Sequence, residues 1–289
     1  MKALLQLPSR LLLAPADPRL YACVRISFAL VALINLVLLW PERDVWLSST
    51  GIIDQDTLAQ CYARPYWTVF SLCQDHLSVS VFMILSGVAM VMLLLGIKPR
   101  WAAIIVFVWQ VSYTTRATLA LGGWDSILRA ISLILVFSPM PAVWSLAGSR
   151  GGEKEVTPNY GLTLLRMQIL VIYWQAVLER LESAYWLNGE FMSFYLLSHN
   201  ARWPGLWVTD LGLLLKLVTW VVLLLEIALP LLLFSKRWYR TGIVLGILLH
   251  GGIAIMSINL GMFFLTMLVL FIACLRSEDL DWVSSRRLG

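Results

Sequence analysis

Eight apolar stretches divide the chain, near residues 20–41, 79–97, 101–116, 125–146, 161–182, 211–234, 241–257 and 258–276. A bilayer core is crossed by about 20 apolar residues of helix, so each stretch predicts one transmembrane span. The fold class that follows is all-α: a polytopic transmembrane helical bundle of about eight spans. The pattern is broken from within, because six basic side chains, several acids and a histidine fall inside the spans. Centring an Asp, Lys or Arg in a spanning helix costs roughly 2.5–3.5 kcal/mol on insertion scales, so such residues face a protein interior, find a partner or do a job.

Composition agrees with the pattern. The 289 residues are 60% hydrophobic and 13% charged, and the mean hydropathy is +0.79, far from a soluble domain of average composition. The opening MKALLQLPSRLLLAPADPR has a basic end and a short apolar piece but no small-residue cleavage site. Residues 1–19 therefore read as a cytoplasmic or interfacial lead-in rather than a removed signal peptide. Residues 20–276 form the transmembrane domain, and 277–289 read as a cytoplasmic tail.

Charge outside the spans sets orientation. Lys2, Arg10, Arg19, Lys98, Arg100, Arg150, Lys154, Lys236, Arg237, Arg240, Arg276, Arg286 and Arg287 lie on one side; only Arg43, Arg64 and Arg202 lie on the other. The positive-inside rule places the richer side, with both termini, in the cytoplasm. The net charge of +5 is then an inner collar beside anionic lipid and calls for no nucleic-acid partner. A multi-pass protein of a bacterial cytoplasmic membrane, its active face outward, fits this arrangement. The outer segments 42–78 and 183–210 are rich in Trp and Tyr, as interfacial lids or re-entrant pieces are. The inner SRGGEKEVTPN at 149–159 reads as a flexible link between two four-helix halves.

Cys61 and Cys73 share the first outer loop, where an oxidising compartment permits a disulfide. Two free thiols packed as small hydrophobes are the alternative. Nothing resembles CxxC or zinc spacing, so no metal is expected. GxGxxG, Walker A, HExxH and GxSxG are also absent.

The polar residues inside the spans sort into two layers. The inner one holds Arg25, Arg166 and Glu226, and Glu226 is expected to pair with one of the two arginines as a buried bridge that fixes helix register. On helix 5, Arg166, Tyr173 and Arg180 fall on one stripe, with Gln168, Gln175 and Glu182 on another, so that helix should be central. The outer layer collects Arg116, Asp125, Arg129, Glu179, Arg180 and His250 from four helices. Asp125 also suits a cap after Gly122-Gly123-Trp124, and Arg129 stands at i+4 from it, the spacing of an ordinary helical ion pair. A lone histidine is usually a satisfied core residue, yet imidazole trades protons near neutral pH and suits a quinol or peptide substrate.

The order of segments resembles the HTTM family, the membrane domain shared with vitamin K-dependent gamma-carboxylase. The resemblance rests on DPRLYACVRISFALV, WLSSTGII, GGWD, LLRMQILVIYWQAVLERLESAYWLNG, LLLEIALPLLL and LLHGGIAIMSINLGMF, in that order over nearly the whole chain. It implies an all-helical bundle with an outward-facing cavity, in which the carboxylase uses a reduced quinone to drive carboxylation of peptide glutamates. His250 matches a family histidine; Asn259, Gly261, Met262 and Phe263 match the run after it; Glu226 and Pro230 match the helix-6 pattern. Where the family has a lysine, followed by Leu and six positions on by Trp, this sequence has Arg180, Leu181 and Trp186. Arginine stays protonated and cannot replace a lysine base. It can instead hold an anion or be neutralised by Glu179 and Glu182. Only thirteen residues follow 276, which is short for the extramembrane domain of a carboxylase.

Three classes of function are therefore carried forward. The first is a carboxylase-like enzyme or peptide-maturation factor, resembling the short bacterial HTTM proteins of toxin-maturation systems. Its catalytic candidates are His250, Arg180 and Glu179, its substrate-binding candidates Arg116, Asp125, Arg129, Tyr173 and Trp186, and its cofactor a quinone or quinol. The second is a non-catalytic module that binds lipid or quinone or scaffolds a membrane partner. The third is a transporter using the Arg166–Glu226 layer.

Overall fold

In the computed structural model, which describes residues 12–62, 66–146, 148 and 157–285, each apolar stretch is a helix. They are α1 (Pro18–Leu39), α2 (His76–Leu95), α3 (Pro99–Arg116), α4 (Gly123–Phe137), α5 (Tyr160–Leu181), α6 (Gly212–Phe234), α7 (Tyr239–Met256) and α8 (Gly261–Ala273). Five have the length and hydropathy of a membrane span: α1 with its continuation to Leu47, α2, α5, α6 and α7. The others fall short for visible reasons. The last turns of α3 carry Gln110, Ser112, Thr114, Thr115 and Arg116. α4 has 15 residues and α8 has 13, so they rise roughly 22 and 20 Å, against a hydrocarbon core of about 30 Å.

Two boundaries differ from the sequence expectation. α4 stops at Phe137 rather than 146, because Ser138 and Met140 each precede a proline, a position that disfavours helical backbone. α8 starts at Gly261 rather than 258, because Ser257 bridges to Ala201 and the Ile258 N–H donates to Asn200 O at 3.1 Å. A two-stranded antiparallel ladder, β1 (Pro15–Ala16) with β2 (Thr157–Pro158), is a small departure from the all-helical expectation. Segments 42–78 and 183–210 hold short helices, Arg43–Leu47 and Gln55–Cys61 in the first and Ala184–Leu187, Phe191–Leu197 and Trp207–Asp210 in the second.

The chain forms two compact units, residues 1–163 with 276–289, and residues 164–275. Their boundary falls inside α5, not at the 149–159 link, of which residues 149–156 lie outside the described residues. In the first unit α1 packs on α2, α2 on α3, and α3 on α4, with α1 touching α4 as well. Ala22, Ala29, Ala32, Ala89, Ala102 and Ala103 are all buried. Small side chains of this kind let membrane helices approach closely, where van der Waals packing replaces the hydrophobic drive.

Arginines close the helix ends of this unit. Gly96, at φ 71°, ends α2 in the left-handed conformation that glycine tolerates best. Beside it, Arg25 Nη1 donates to Leu94 O at 2.9 Å and to Leu93 O, while Nη2 donates to Trp144 O at 3.0 Å and Val143 O at 3.2 Å. Arg100 donates to Ser138 O at 2.6 Å and to Val136 O at the end of α4. Arg116, 1% exposed, donates to Ile53 O at 2.6 Å and to Ser48 O, tying the first outer segment to α3. Arg25 therefore serves backbone carbonyls and is not the partner expected for Glu226.

A buried network links α1, α3 and α4. Asp125 accepts from Gly122 N at 2.8 Å, from the Tyr113 hydroxyl and, at 3.3 Å, from Asn35 Nδ2. Trp124 Nε1 donates to Asn35 Oδ1 at 3.3 Å. Asp125 thus caps α4 and joins three helices at once. Arg129 donates to Thr114 Oγ1 at 3.3 Å rather than pairing with Asp125 one turn away. Outside the helices, Asp75 caps α2, and hydrogen bonds from Ser78 hold its carboxyl below the usual carboxylate range. Cys73 carries a free thiol, so a Cys61–Cys73 bridge is not among the bonds of the structure; the Cys61 side chain lies outside the described residues.

Replacing Arg25 by Ala leaves four carbonyls, one buried and three part-buried, short of a charged donor. Hydrogen bonds to charged groups contribute about 1.5–3 kcal/mol. Arg25→Ala should therefore cost at least about 2 kcal/mol in detergent melts, and an unchanged melting temperature would show that the cap is idle.

Candidate functional site

The second unit is built around one stripe of α5. Arg166, Tyr173 and Arg180 are seven residues apart, close to two helical turns, so they stack along one face. Each reaches a different helix. Arg166 Nε donates to Ala273 O at 2.8 Å, closing the end of α8. Tyr173 Oη lies 2.7 Å from His250 Nε2 on α7, in a buried contact. Arg180 Nη1 forms an ion pair with Glu226 Oε2 on α6, and the Glu226 side chain is only 3% exposed.

His250 is itself buried, and its Nδ1 has no hydrogen-bond partner among the described residues. Its ring meets the edge of Phe263 at 5.2 Å and lies 6.0 Å from Phe271, both on α8. This packing depends on Gly246, whose added Cβ would stand 2.5 Å from Phe271 Cζ. The imidazole is thus held at one nitrogen, walled by aromatic rings and left buried without a partner at the other nitrogen. The positive charge of Arg180 is near enough to act on both Tyr173 and His250.

Above the ion pair, the Arg180 guanidinium lies over the Trp186 ring at 4.5 Å. Trp186 stacks on Phe191 at 4.1 Å, and Phe191 on Tyr195 at 6.0 Å. The aromatic column stands on the short helices Ala184–Leu187 and Phe191–Leu197, which pack on α6. A core of Leu196, Ala201, Val208 and Leu215 anchors that segment. A cation stacked on a ring gains roughly 0.5–2 kcal/mol, so Arg180 is fixed from two sides.

The structure therefore brings together Tyr173, Arg180, Trp186, Glu226 and His250. Glu179 is apart from them, exposed and accepting from Gln175 Nε2 at 3.0 Å. Arg116, Asp125 and Arg129 belong to the first unit and serve its loop, cap and helix contacts. The expected pairing of Glu226 with Arg25 or Arg166 is corrected, since Glu226 pairs with Arg180. Counting depth by residue assumes that α5 and α6 start from one flat plane, whereas the pair sets the end of α5 level with the middle of α6. Phe191 and Phe271 were not singled out in the sequence, because phenylalanine in an apolar run carries no mark that separates a site wall from ordinary core; Phe263 was visible only through the family resemblance. Among the described residues no three His, Cys, Asp or Glu side chains gather as metal ligands.

Chemically, the arrangement supplies a buried imidazole that can take or give a proton at Nδ1 while Tyr173 fixes Nε2. It also supplies a guanidinium that stays cationic and positions an anion but takes up no proton.

The chain is 23% identical over 235 residues to the sporulation-delaying protein SdpB of Bacillus subtilis (strain 168), an alignment that covers 74% of this chain and 69% of that protein. No solved structure matches. Residues 13–282 match the HTTM domain. All eight helices and every residue of the buried site lie within that match, and the chain belongs to the HTTM domain family.

Proposed function

We propose that this membrane protein acts on a peptide or a quinol at the site around His250, as a factor in peptide maturation. The observation that carries the reading is the buried Tyr173–His250 contact with Nδ1 left without a partner, beside a guanidinium that Glu226 and Trp186 hold in place. A buried proton-trading pair in a membrane bundle is expensive to keep without a task. The sporulation-delaying relative and the resemblance to short bacterial maturation proteins support a peptide as the partner.

In this reading His250 holds or moves the substrate proton at Nδ1, and Tyr173 sets its tautomer. Arg180 positions an anionic oxygen, and Glu226 offsets its charge when the site is empty of anion. A quinol head group suits the unpartnered imidazole nitrogen and the flanking rings of Phe263 and Phe271. A quinol held there by His250 and Arg180 would supply a dissociable hydroxyl proton to Nδ1. With Arg180 in place of the family lysine, glutamate carboxylation by a lysine base is not part of the reading. A non-catalytic quinone- or lipid-binding module is the second reading, favoured by the closed state of the Arg180–Glu226 pair.

The protein is further read as crossing a bacterial cytoplasmic membrane about eight times, both termini inside and the site facing outward. With Cys23, Cys61, Cys73 and Cys274 all replaced by Ser, single cysteines placed at residues 2 and 285 should resist a membrane-impermeant maleimide in intact cells and react after permeabilisation. Labelling of either in intact cells refutes this topology.

Activity separates the two functional readings. In a strain deleted for the gene, the mature peptides released should be restored by the wild type. His250→Ala should lower the product on the order of 100-fold at unchanged protein level, the usual scale of a lost general acid–base group. Normal product from both His250→Ala and Arg180→Ala leaves only the binding module.

The ion pair has its own test. Glu226→Gln strands a buried charge and should cost about 3–5 kcal/mol in stability, whereas a double Arg180→Met, Glu226→Met variant should recover most of it. Recovery of folding without recovery of product assigns the pair to function; recovery of both assigns it to structure alone.

A further inference from the structure

A second concavity lies in the same unit, away from His250. It runs along α7 between the Arg202–Trp203 segment and α8, has a volume of about 840 Å³, and is lined by Leu248, Gly251, Gly252, Ile255 and Phe264 among others. At about 100° per residue, its face of α7 is centred roughly 120° around the helix from His250. It is therefore a different surface from the site above.

Its floor is open by composition. A Cβ added at Gly252 would meet nothing within 4 Å, and one at Gly251 only the Phe264 ring, at 3.8 Å. These glycines are not demanded by close helix packing, as Gly246 is; their effect is to leave a trough along the helix. Leu248 is 65% exposed and Ile255 57%. α7 is long and apolar enough to cross a membrane, so an apolar trough on its exposed face meets hydrocarbon.

The rim is polar at one end only. Arg202 Nε donates to Ile255 O and Nη2 to Ser257 O, both at 2.9 Å, which holds the guanidinium at the end of α7. Among the described residues Arg202 pairs with no carboxylate, and Nη1 makes no hydrogen bond. The exposed Trp203 ring lies 5.9 Å from the guanidinium. An exposed tryptophan beside an arginine marks the depth of lipid head groups. An apolar trough ending at a fixed cation with one free N–H edge matches the chemistry of a phospholipid.

We propose that this groove is a specific phospholipid site. One acyl chain lies over Gly251 and Gly252, and the phosphodiester accepts from the outward edge of Arg202. No bond is made or broken, and none of these residues belongs to the Tyr173–His250 site, so the proposal stands or falls independently of the activity.

The test titrates the full-length detergent-solubilised protein with palmitoyl-oleoyl phosphatidylglycerol and follows adducts by native mass spectrometry. Gly252→Leu, whose Cβ would meet nothing within 4 Å, places an isobutyl group in the trough and should abolish one tightly held lipid without lowering the melting temperature. Arg202→Gln should weaken that adduct about tenfold, as expected for one lost charge-assisted contact, and Arg202→Lys should restore part of it. Diacylglycerol, which lacks phosphate, should bind at least tenfold more weakly, and millimolar inorganic phosphate should not compete. Equal retention of phosphatidylglycerol by wild type and Gly252→Leu overturns the proposal. So does equal binding of diacylglycerol, or a dimer that Gly252→Leu converts to monomer, which would make the groove a contact between two copies of this chain.

Discussion

A guanidinium laid against open backbone carbonyls is the interaction on which this molecule depends. A helix leaves its last four carbonyls without intrahelical partners, and side chains or water must satisfy them. Arg25, Arg100, Arg166 and Arg202 meet that need at the ends of α2, α4, α8 and α7. Charge placed at a helix C-terminus also gains from the helix dipole. The arginines that looked like anomalies in the apolar pattern are thus a means by which the carbonyls at helix ends find donors.

Against that rule, Arg180 stands out. It stacks on Trp186 and faces a buried carboxylate, with no hydrogen bond to a helix end among the described residues. An ion pair in a membrane interior has to overcome the desolvation of both partners. That expense falls beside the one buried histidine of the second unit, whose free nitrogen is a further unmet cost. Two unfavourable features placed side by side suit a site that a substrate completes.

Much of the fold was legible in the sequence. Long apolar runs are the strongest signal a membrane chain carries, and each of the eight became a helix. The errors came from local chemistry: Pro139 and Pro141 cut α4 short, and the Ala201–Ser257 bridge delayed α8. Site legibility was uneven for a physical reason. Tyr173, Arg180, Trp186 and His250 were visible because polar and motif residues stand out in apolar sequence. The roles of Arg25 and Arg166 were hidden, because their acceptors are backbone carbonyls, which leave no trace in residue identity. The Glu226 partner was missed because helix stagger is a tertiary property that counting along single helices cannot supply.

One face of α5 holds three neighbours, through Arg166 to α8, Tyr173 to α7 and Arg180 to α6. A slip of α5 by a single residue turns that face by about 100° and withdraws all three side chains together. The site therefore has no half-assembled form along this coordinate: α5 is either seated with its proton pair and its ion pair both made, or displaced with neither. A sequence that drifts can alter the chemistry at any one of these positions, but a one-residue insertion between Arg166 and Arg180 would have to rebuild the whole unit.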